Sequence, residues 1–215
     1  MTPLVLYCDR PWVSPWVMHA LVALEEKQLP YRVVMRDLPL LPAHRAELAA
    51  HGVLGKLPML VHGDVWISES LAISEYLAET FPIPDHPRLF PADLGQRARA
   101  RQVMSWLRTD GALAPLREAR PTTSVFGAPV TTPLDAEAQA AAAMLLDVAK
   151  RLLTGRDYIA DAWCIADVDL ALTLMRLIKN GDPLPTEIAT YAARVWTRPS
   201  VVAYLRRHGQ QHDDA

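Results

Sequence analysis

Ser14 is the first residue whose type and position could serve chemistry, because it stands directly before Pro15, where an amphipathic helix pattern begins. Serine is a favoured N-cap, and proline is tolerated at the first helical position because its missing N–H would have no intrahelical partner there. Capping alone therefore explains this pair. A hydroxyl at a helix start could also point at a substrate, and the local sequence leaves both interpretations open.

A second segment, GKLPML (55–60), offers backbone groups rather than a reactive side chain. Pro58 opens a predicted strand and biases Leu57 towards an extended conformation, in which the N–H and C=O of Leu57 are available to a ligand. On local grounds Lys56 is a solvated loop charge. The local sequence gives no reason to predict a cis Leu57–Pro58 peptide bond.

A third segment, ISES (67–70), places Glu69 and Ser70 where a helix is predicted to begin. A helix N-terminus attracts carboxylates through its N–H groups and its dipole, and a serine there adds a hydroxyl donor. Glu69 beside it could bind an ammonium group. Together these groups suit the free α-amino acid end of a ligand, although capping explains Ser70 equally well.

Composition narrows the class of partner. The 215 residues are 51% hydrophobic and 21% charged, with a formal net charge of -2. This composition is ordinary for a globular protein, and it lacks the excess of positive charge that binds nucleic acid. We therefore expect a small-molecule or protein partner. Charged residues interrupt every apolar run well short of membrane-spanning length, and the N-terminus is typical of a first strand rather than a signal peptide. We predict a cytoplasmic protein that does not enter a membrane.

The two cysteines, Cys8 and Cys164, are far apart and form no CxxC pair, so we predict free thiols in a reducing compartment. Cys8, at the end of the first predicted strand, is expected to be buried. The seven histidines are scattered along the chain, and we predict no metal site.

The first eighty residues alternate strand and helix signals in the order β-α-β-α-β-β-α. Val17, Leu21 and Leu24 lie on one face of the first helix, as expected for a helix packed on a sheet. Strands are predicted at 4–9, 31–37, 58–63 and 64–68, with a tight hairpin turn at 62–64, and helices at 15–27, 42–50 and 69–81.

A proline-rich stretch follows and separates two predicted domains. We predict an α/β domain over 1–81, a linker over 82–93 and an all-helical domain over 94–215. The predicted helices of the second domain are 94–109, 134–153, 165–179, 186–196 and 199–208.

With these segments in order, the chain resembles the cytosolic glutathione transferases, in particular the serine-type enzymes and the bacterial YfcF-like branch. The resemblance covers nearly the whole chain. It is carried by YCDRPWVSPWVMHALVALEEK, GKLPML, ISESLAISEYL and WCIADVDLAL. It implies a thioredoxin-like α/β domain followed by a helical bundle, with glutathione as co-substrate and no metal.

The resemblance also implies roles for individual residues. Ser14 would donate a hydrogen bond to the glutathione sulfur and favour its thiolate. Leu57, before a cis Pro58, would pair its backbone with the cysteinyl part of glutathione. Glu69 and Ser70 would hold the γ-glutamyl ammonium and carboxylate.

Lys56 is the implied partner of a further peptide carboxylate. One position departs from the family pattern, since Cys164 stands where a serine or threonine commonly forms a capping box with Asp167. A thiol is a poor cap, and we interpret both residues as structural.

The resemblance further implies a second-substrate site between the domains. Trp12, Trp16, Trp106 and Asp110 are its predicted residues, and the stretch 120–129 would cover it. Large aromatic side chains there suit a small apolar electrophile, although indoles more often pack in ordinary cores. A two-fold homodimer is expected from the resemblance alone.

Three functions stay open at this stage. The first is a glutathione transferase whose thiolate attacks an electrophilic carbon, a peroxide or a disulfide, since all three reactions begin with the same thiolate. The second is a non-catalytic glutathione-transferase-like domain for protein interaction or ligand carriage. The third is the glutathione-dependent isomerisation of the family's zeta branch, whose cysteine-containing loop is absent here.

Overall fold

The computed structural model describes residues 2–213. Its contacts divide the chain into two units, and the second runs from Phe90 to Arg198. The first unit contains the residues up to Leu89 together with the final helix, which begins at Pro199. The final helix thus contacts the first unit, although it follows the second unit in the chain, and the domain bounds 1–81, 82–93 and 94–215 stay a prediction.

The first unit is built on a four-stranded mixed sheet with the strand order β2-β1-β3-β4. β2 runs parallel to β1, and β3 and β4 are antiparallel to their neighbours. The strands are β1 (Leu4–Asp9), β2 (Tyr31–Arg36), β3 (Met59–His62) and β4 (Val65–Ser68). Gly63 opens the two-residue turn between β3 and β4 with a φ of 62°, the conformation that a II′ hairpin turn requires at that position.

The helices of this unit are α1 (Pro15–Glu26), α2 (Pro42–His51), α3 (Ser70–Thr80) and, from the C-terminus, α10 (Pro199–Asp213). α1 packs against both α3 and α10. All eight residues from Val17 to Leu24 are buried. The amphipathic pattern predicted one buried face, but α1 is enclosed on every side because two other helices cover the faces that the sheet leaves open.

The second unit is helical in the residues that the structure describes. Its longer helices are α4 (Leu94–Thr109), α7 (Ala136–Leu153), α8 (Ala166–Ile178) and α9 (Thr186–Trp196). A 3-10 turn (Gly111–Leu113) and the short helices α5 (Ala114–Ala119) and α6 (Thr122–Phe126) complete it. The apolar spacing did not predict these three short elements, since each has fewer than two full turns to show a period.

A buried carboxylate fastens the start of α8. Asp167 accepts hydrogen bonds from the N–H groups of Cys164 and Ile159 and from the hydroxyl of Tyr191, each at 2.8 to 2.9 Å. The aspartate half of the predicted capping box is therefore present despite the cysteine. Between residues 2 and 213, no helix is long and apolar enough to cross a membrane, and no group of His, Cys, Asp or Glu side chains could hold a metal ion.

Candidate functional site

Two of the segments singled out by the sequence meet at one edge of the sheet. β1 ends at Asp9, and the loop after it leads to Ser14. β3 runs antiparallel to β1, and its first residue, Met59, pairs with Tyr7. Pro58, directly before Met59, therefore lies beside the end of β1 from which the loop departs.

The third segment reaches the same edge through β4. The last residue of β4, Ser68, pairs with Met59 at the start of β3. Glu69 and Ser70 follow at once and open α3. Because the ends of β1 and β4 and the start of β3 share one edge, the three predicted ligand-binding segments converge there.

Ser14 is the N-cap of α1, as its sequence context predicts. Its Oγ accepts a hydrogen bond from the N–H of Val17 at 3.4 Å, which is long for such a bond. Accepting this bond leaves the hydroxyl hydrogen available, and the structure gives it no acceptor among the described residues. Capping and donation to a ligand are therefore compatible at this half-buried serine.

Asp9 supports this position and was not singled out by the sequence. Its Oδ2 accepts hydrogen bonds from the N–H groups of Val13 at 2.8 Å and Ser14 at 3.2 Å. Its Oδ1 is buried without a hydrogen-bond partner among the described residues. Burial raises the pKa of this carboxyl above its ordinary value, and the two N–H groups act in the opposite direction.

Residues of α10 contact the loop that carries Ser14. The hydroxyl of Tyr204 donates to the carbonyl of Ser14 at 3.1 Å, and its ring meets Trp12 edge-on with centroids 5.7 Å apart. The guanidinium of Arg207 lies 5.4 Å from the Trp12 ring centroid. His208 Nδ1 lies 3.0 Å from the carbonyl oxygen of Pro11. No local pattern could reveal these contacts, because they join residues almost the whole chain apart.

The predicted extended segment has the backbone that the family resemblance implied. The Leu57–Pro58 peptide bond is cis. The N–H and C=O of Leu57 make no loop or cap hydrogen bond within residues 2–213. Lys56 beside them is exposed to solvent, as expected both for a solvated loop charge and for a group at the rim of a site, and its binding role stays a prediction.

Glu69 occupies an unusual backbone position at the start of α3. Its φ is 69°, in the left-handed region that few residues other than glycine adopt. Its side chain does not cap α3 and is exposed. Strained backbone of this kind clusters at ligand sites. The first turn of α3 therefore presents N–H groups to an anion beside an exposed carboxylate, and Ser70 is buried in that turn, with 1% of its surface exposed.

The predicted second-substrate residues have different surroundings. Trp12 is 2% exposed and packs inside the first unit, so its ring supports the loop and offers no open face. Trp16 is half-buried on α1. Trp106 lies on α4, and Asp110 caps the 3-10 turn through a 2.8 Å bond from the N–H of Ala112. The role of these residues towards a second substrate stays a prediction.

Both thiols are buried. Burial and the neighbouring charge of Asp9 raise the pKa of Cys8 to about 12. Burial and the charge of Asp167 raise the pKa of Cys164 as well. Neither cysteine is placed to act as a nucleophile, because the thiolate is the reactive form.

The second unit has a groove of about 350 Å³ of its own. It is lined by Lys150, Leu153, Thr154, Gly155, Arg156, Glu187, Ile188, Thr190, Tyr191 and Arg194. None of the predicted site residues is among them.

The four-stranded mixed sheet with its helices is a thioredoxin-like fold, and a helical unit follows it in the chain. Residues 13–80 match the glutathione S-transferase N-terminal domain, and residues 93–208 match the glutathione S-transferase C-terminal domain. The chain belongs to the glutathione S-transferase family.

Individual relatives agree with this assignment. A glutathione transferase homolog from Burkholderia gl BGR1, solved with bound glutathione, is 35% identical, with a TM-score of 0.77 over 97% of this chain and 98% of that one. Glutathione S-transferase U13 of Arabidopsis thaliana is 37% identical over 92 residues, which are 42% of this chain and 39% of that protein. Glutathione S-transferase Z1 of the same plant is 28% identical over 84% of this chain and 82% of its own length. The chain thus spans under half the length of U13.

Proposed function

We propose that this protein is a serine-type glutathione transferase, in which Ser14 activates the glutathione thiol for attack on an electrophile. The observation that carries the proposal is the convergence of three segments at one sheet edge: the Ser14 loop, the cis Leu57–Pro58 segment and the Glu69–Ser70 helix start. The glutathione bound to the Burkholderia homolog supports the choice of ligand.

The γ-glutamyl end of glutathione carries an ammonium and a carboxylate. Glu69 is an exposed carboxylate that no described residue pairs with, so it can take the ammonium. The carboxylate fits the N-terminus of α3, where N–H groups and the helix dipole favour an anion. Ser70 adds a hydroxyl in the same turn, which completes a site for an α-amino acid group.

The middle and far end of the tripeptide meet the second segment. The N–H and C=O of Leu57 can pair with the cysteinyl backbone as two neighbouring strands would. Lys56, exposed at the rim, supplies a positive charge for the glycyl carboxylate. This pairing directs the cysteinyl sulfur towards the start of α1.

Ser14 then sets the ionisation of the sulfur. A free thiol titrates near ~8.5, and lowering that pKa by about two units requires about 2.7 kcal/mol of preferential stabilisation of the thiolate. A hydrogen bond to a charged acceptor contributes roughly 1.5–3 kcal/mol, and the positive end of the α1 dipole adds to it. The thiolate attacks an electrophilic carbon, an S–C bond forms, and the leaving group departs with its electron pair.

Glutathione attack on a peroxide or a disulfide begins from the same thiolate, and these reactions are alternative outcomes for the second substrate. A non-catalytic carrier would need neither an accessible hydroxyl at Ser14 nor an unpaired carboxylate at Glu69. Residues 13–16, which span the start of α1, read VSPW, without the cysteine of the loop that is typical of the zeta branch. A homodimer in the cytoplasm, with a small apolar electrophile as second substrate, completes the proposal.

The test follows the ultraviolet thiolate absorbance of bound glutathione across pH in the wild type, Ser14→Ala and Ser105→Ala. Ser105 is an exposed serine of the second unit and serves as the matched control. We expect a midpoint about two units below the free thiol in the wild type and the control. In Ser14→Ala the midpoint should return towards ~8.5, with kcat roughly 100-fold lower.

If the lowered midpoint persists in Ser14→Ala, Ser14 is not the activating group. If glutathione at millimolar concentration gives no saturable signal with the wild type, the protein is not a glutathione-dependent enzyme and the carrier or interaction function replaces the proposal.

A further inference from the structure

Side chains from two distant parts of the chain bind the backbone of Ser14. The Ser14 N–H donates to Asp9 Oδ2 at 3.2 Å, and the Ser14 carbonyl accepts from the Tyr204 hydroxyl at 3.1 Å. Both side chains are fully buried, with 0% of their surface exposed. Tyr204 stands 190 residues after Ser14, so this contact joins two segments that are far apart in the chain.

Tyr204 acts together with its neighbours on one face of α10. Tyr204, Arg207 and His208 are spaced three and four residues apart, which places them side by side on a helix. They contact Ser14, Trp12 and Pro11 respectively. Three successive contacts along one loop fix its course, where a single contact would leave it free to pivot.

The loop needs this support because its backbone is strained. Trp12 has a φ of 50°, which is unfavourable for a bulky side chain. Such a conformation persists only when the surroundings over-determine it. The edge-on packing of Trp12 against Tyr204 and the cation of Arg207 near the indole provide that support.

α1, whose N-cap is Ser14, holds the hydroxyl only loosely, since the cap bond from the Val17 N–H is 3.4 Å long. A misplacement of about 1 Å at a reacting group can cost on the order of 100-fold in rate. The position of the Ser14 hydroxyl therefore depends on the groups that bind its backbone.

We propose that α10 is a positioning element of the reaction: Tyr204 on the Ser14 carbonyl and Asp9 on the Ser14 N–H hold the serine where its hydroxyl meets the glutathione sulfur. Tyr204 and Asp9 do not touch glutathione and act through Ser14. This inference rests on the proposed function of Ser14 and adds the residues that hold Ser14 in position for it.

The principal variant is Tyr204→Phe, which removes one hydroxyl and keeps the ring that packs on Trp12. The matched control is Tyr76→Phe, which removes a hydroxyl bonded to His62 at 2.8 Å within the same unit. Each variant is made in the wild type and in the Ser14→Ala background. The thiolate midpoint of bound glutathione, kcat and the KM for glutathione are measured, and thermal unfolding checks that each variant is folded.

We expect Tyr204→Phe to lower kcat roughly three- to tenfold, the effect of losing one hydrogen bond, and to raise the thiolate midpoint. The KM for glutathione should change less than about twofold, because the glutamyl contacts are untouched. In the Ser14→Ala background the same change should have no further effect on kcat, the non-additivity expected of a residue that acts through another. Tyr76→Phe should leave kcat and the midpoint unchanged in both backgrounds.

Asp9 gives a second, independent test. Asp9→Ala removes the acceptor of the Ser14 N–H, whereas Asp9→Asn keeps an oxygen in that place. Asp9→Ala should lower kcat at least as much as Tyr204→Phe does, and Asp9→Asn should restore most of the loss.

Equal, additive losses in both Ser14 backgrounds would mean that Tyr204 contributes only general stability, and this result overturns the inference. So does an unchanged midpoint in a folded Tyr204→Phe, even when Ser14→Ala abolishes the signal and the proposed function stands. A wild type without a bound thiolate signal overturns both the proposed function and this inference.

Discussion

Each unit contains a buried aspartate that accepts hydrogen bonds near the start of a helix, and the two aspartates differ in how many of their oxygens have a hydrogen-bond partner. Asp167, in the first turn of α8, uses both carboxylate oxygens: Oδ1 accepts from the Ile159 N–H and the Tyr191 hydroxyl, and Oδ2 accepts from the Cys164 N–H. Asp9, before α1, uses only Oδ2, and its Oδ1 has no hydrogen-bond partner within residues 2–213.

We interpret Asp167 as a structural anchor, and under our proposal Asp9 positions the serine that acts on glutathione. A fully bonded buried carboxylate strengthens a fold, whereas an unmatched buried oxygen costs free energy. Asp9, with one unpartnered oxygen, binds the backbone of the serine that we propose activates glutathione. Asp167, with both oxygens hydrogen-bonded, lies in the core of the second unit.

The largest effect is expected when the anchors are removed. Asp167→Ala leaves three buried donors without an acceptor and should lower the free energy of unfolding by about 3–5 kcal/mol. Asp9→Ala leaves two donors and relieves one unmatched oxygen, so its loss should be about 2 kcal/mol or less. Urea unfolding of both variants measures the two values. Equal losses would remove the distinction between the two aspartates.

An intermediate effect concerns the dependence of stability on pH. Burial raises the pKa of Asp9 in the folded state above the ordinary 3.8, so the folded protein binds this proton more tightly than the unfolded chain. The resulting stabilisation is fully present below the unfolded pKa and is lost as pH rises through the folded pKa. Asp9→Asn removes this dependence, so the stability of the wild type relative to Asp9→Asn should fall as pH rises above about 4.

The measurement is urea unfolding of wild type and Asp9→Asn at a series of pH values. A difference that stays level, or grows with rising pH, would show that Asp9 behaves as a well-paired carboxylate and that its free oxygen has found a partner.

The smallest effect on stability is expected for a substitution of Cys164, which stands where the family commonly has a serine or threonine. In Cys164→Ser a hydroxyl replaces the thiol, which the N–H groups of Ala166 and Asp167 face, and serine is the better cap. We expect a gain of about 0.5–1 kcal/mol, which raises Tm by roughly 1–4 °C. Cys8→Ser is the control, since that buried thiol is at no helix start and a hydroxyl there should destabilise. A Tm that falls in both variants would mean that Cys164 is held by packing rather than by capping.

Local patterns predicted most of the elements because each depends on neighbours in the chain. The apolar spacing of α4 and α9 gave their bounds without error, Gly63 marked the hairpin, and Asp167 marked its capping box. Order and spacing of the motifs also led to the glutathione S-transferase family and to Ser14 as the candidate hydroxyl. Short helices such as α5 and α6 were not predicted from the sequence, because they contain too few residues to show a helical period.

The sequence by itself determined the types of the strands and longer helices, the Ser14 cap and the candidate residues, since these follow from backbone propensities and from side chains a few positions apart. Only the tertiary structure decided that α10 packs against α1, that α1 is buried on all sides and that Asp9 and Tyr204 bind the backbone of Ser14. These features depend on which surfaces meet when the chain closes on itself. Hydrophobic burial depends on the packing of the whole chain, so the pattern of a short segment does not predict this arrangement.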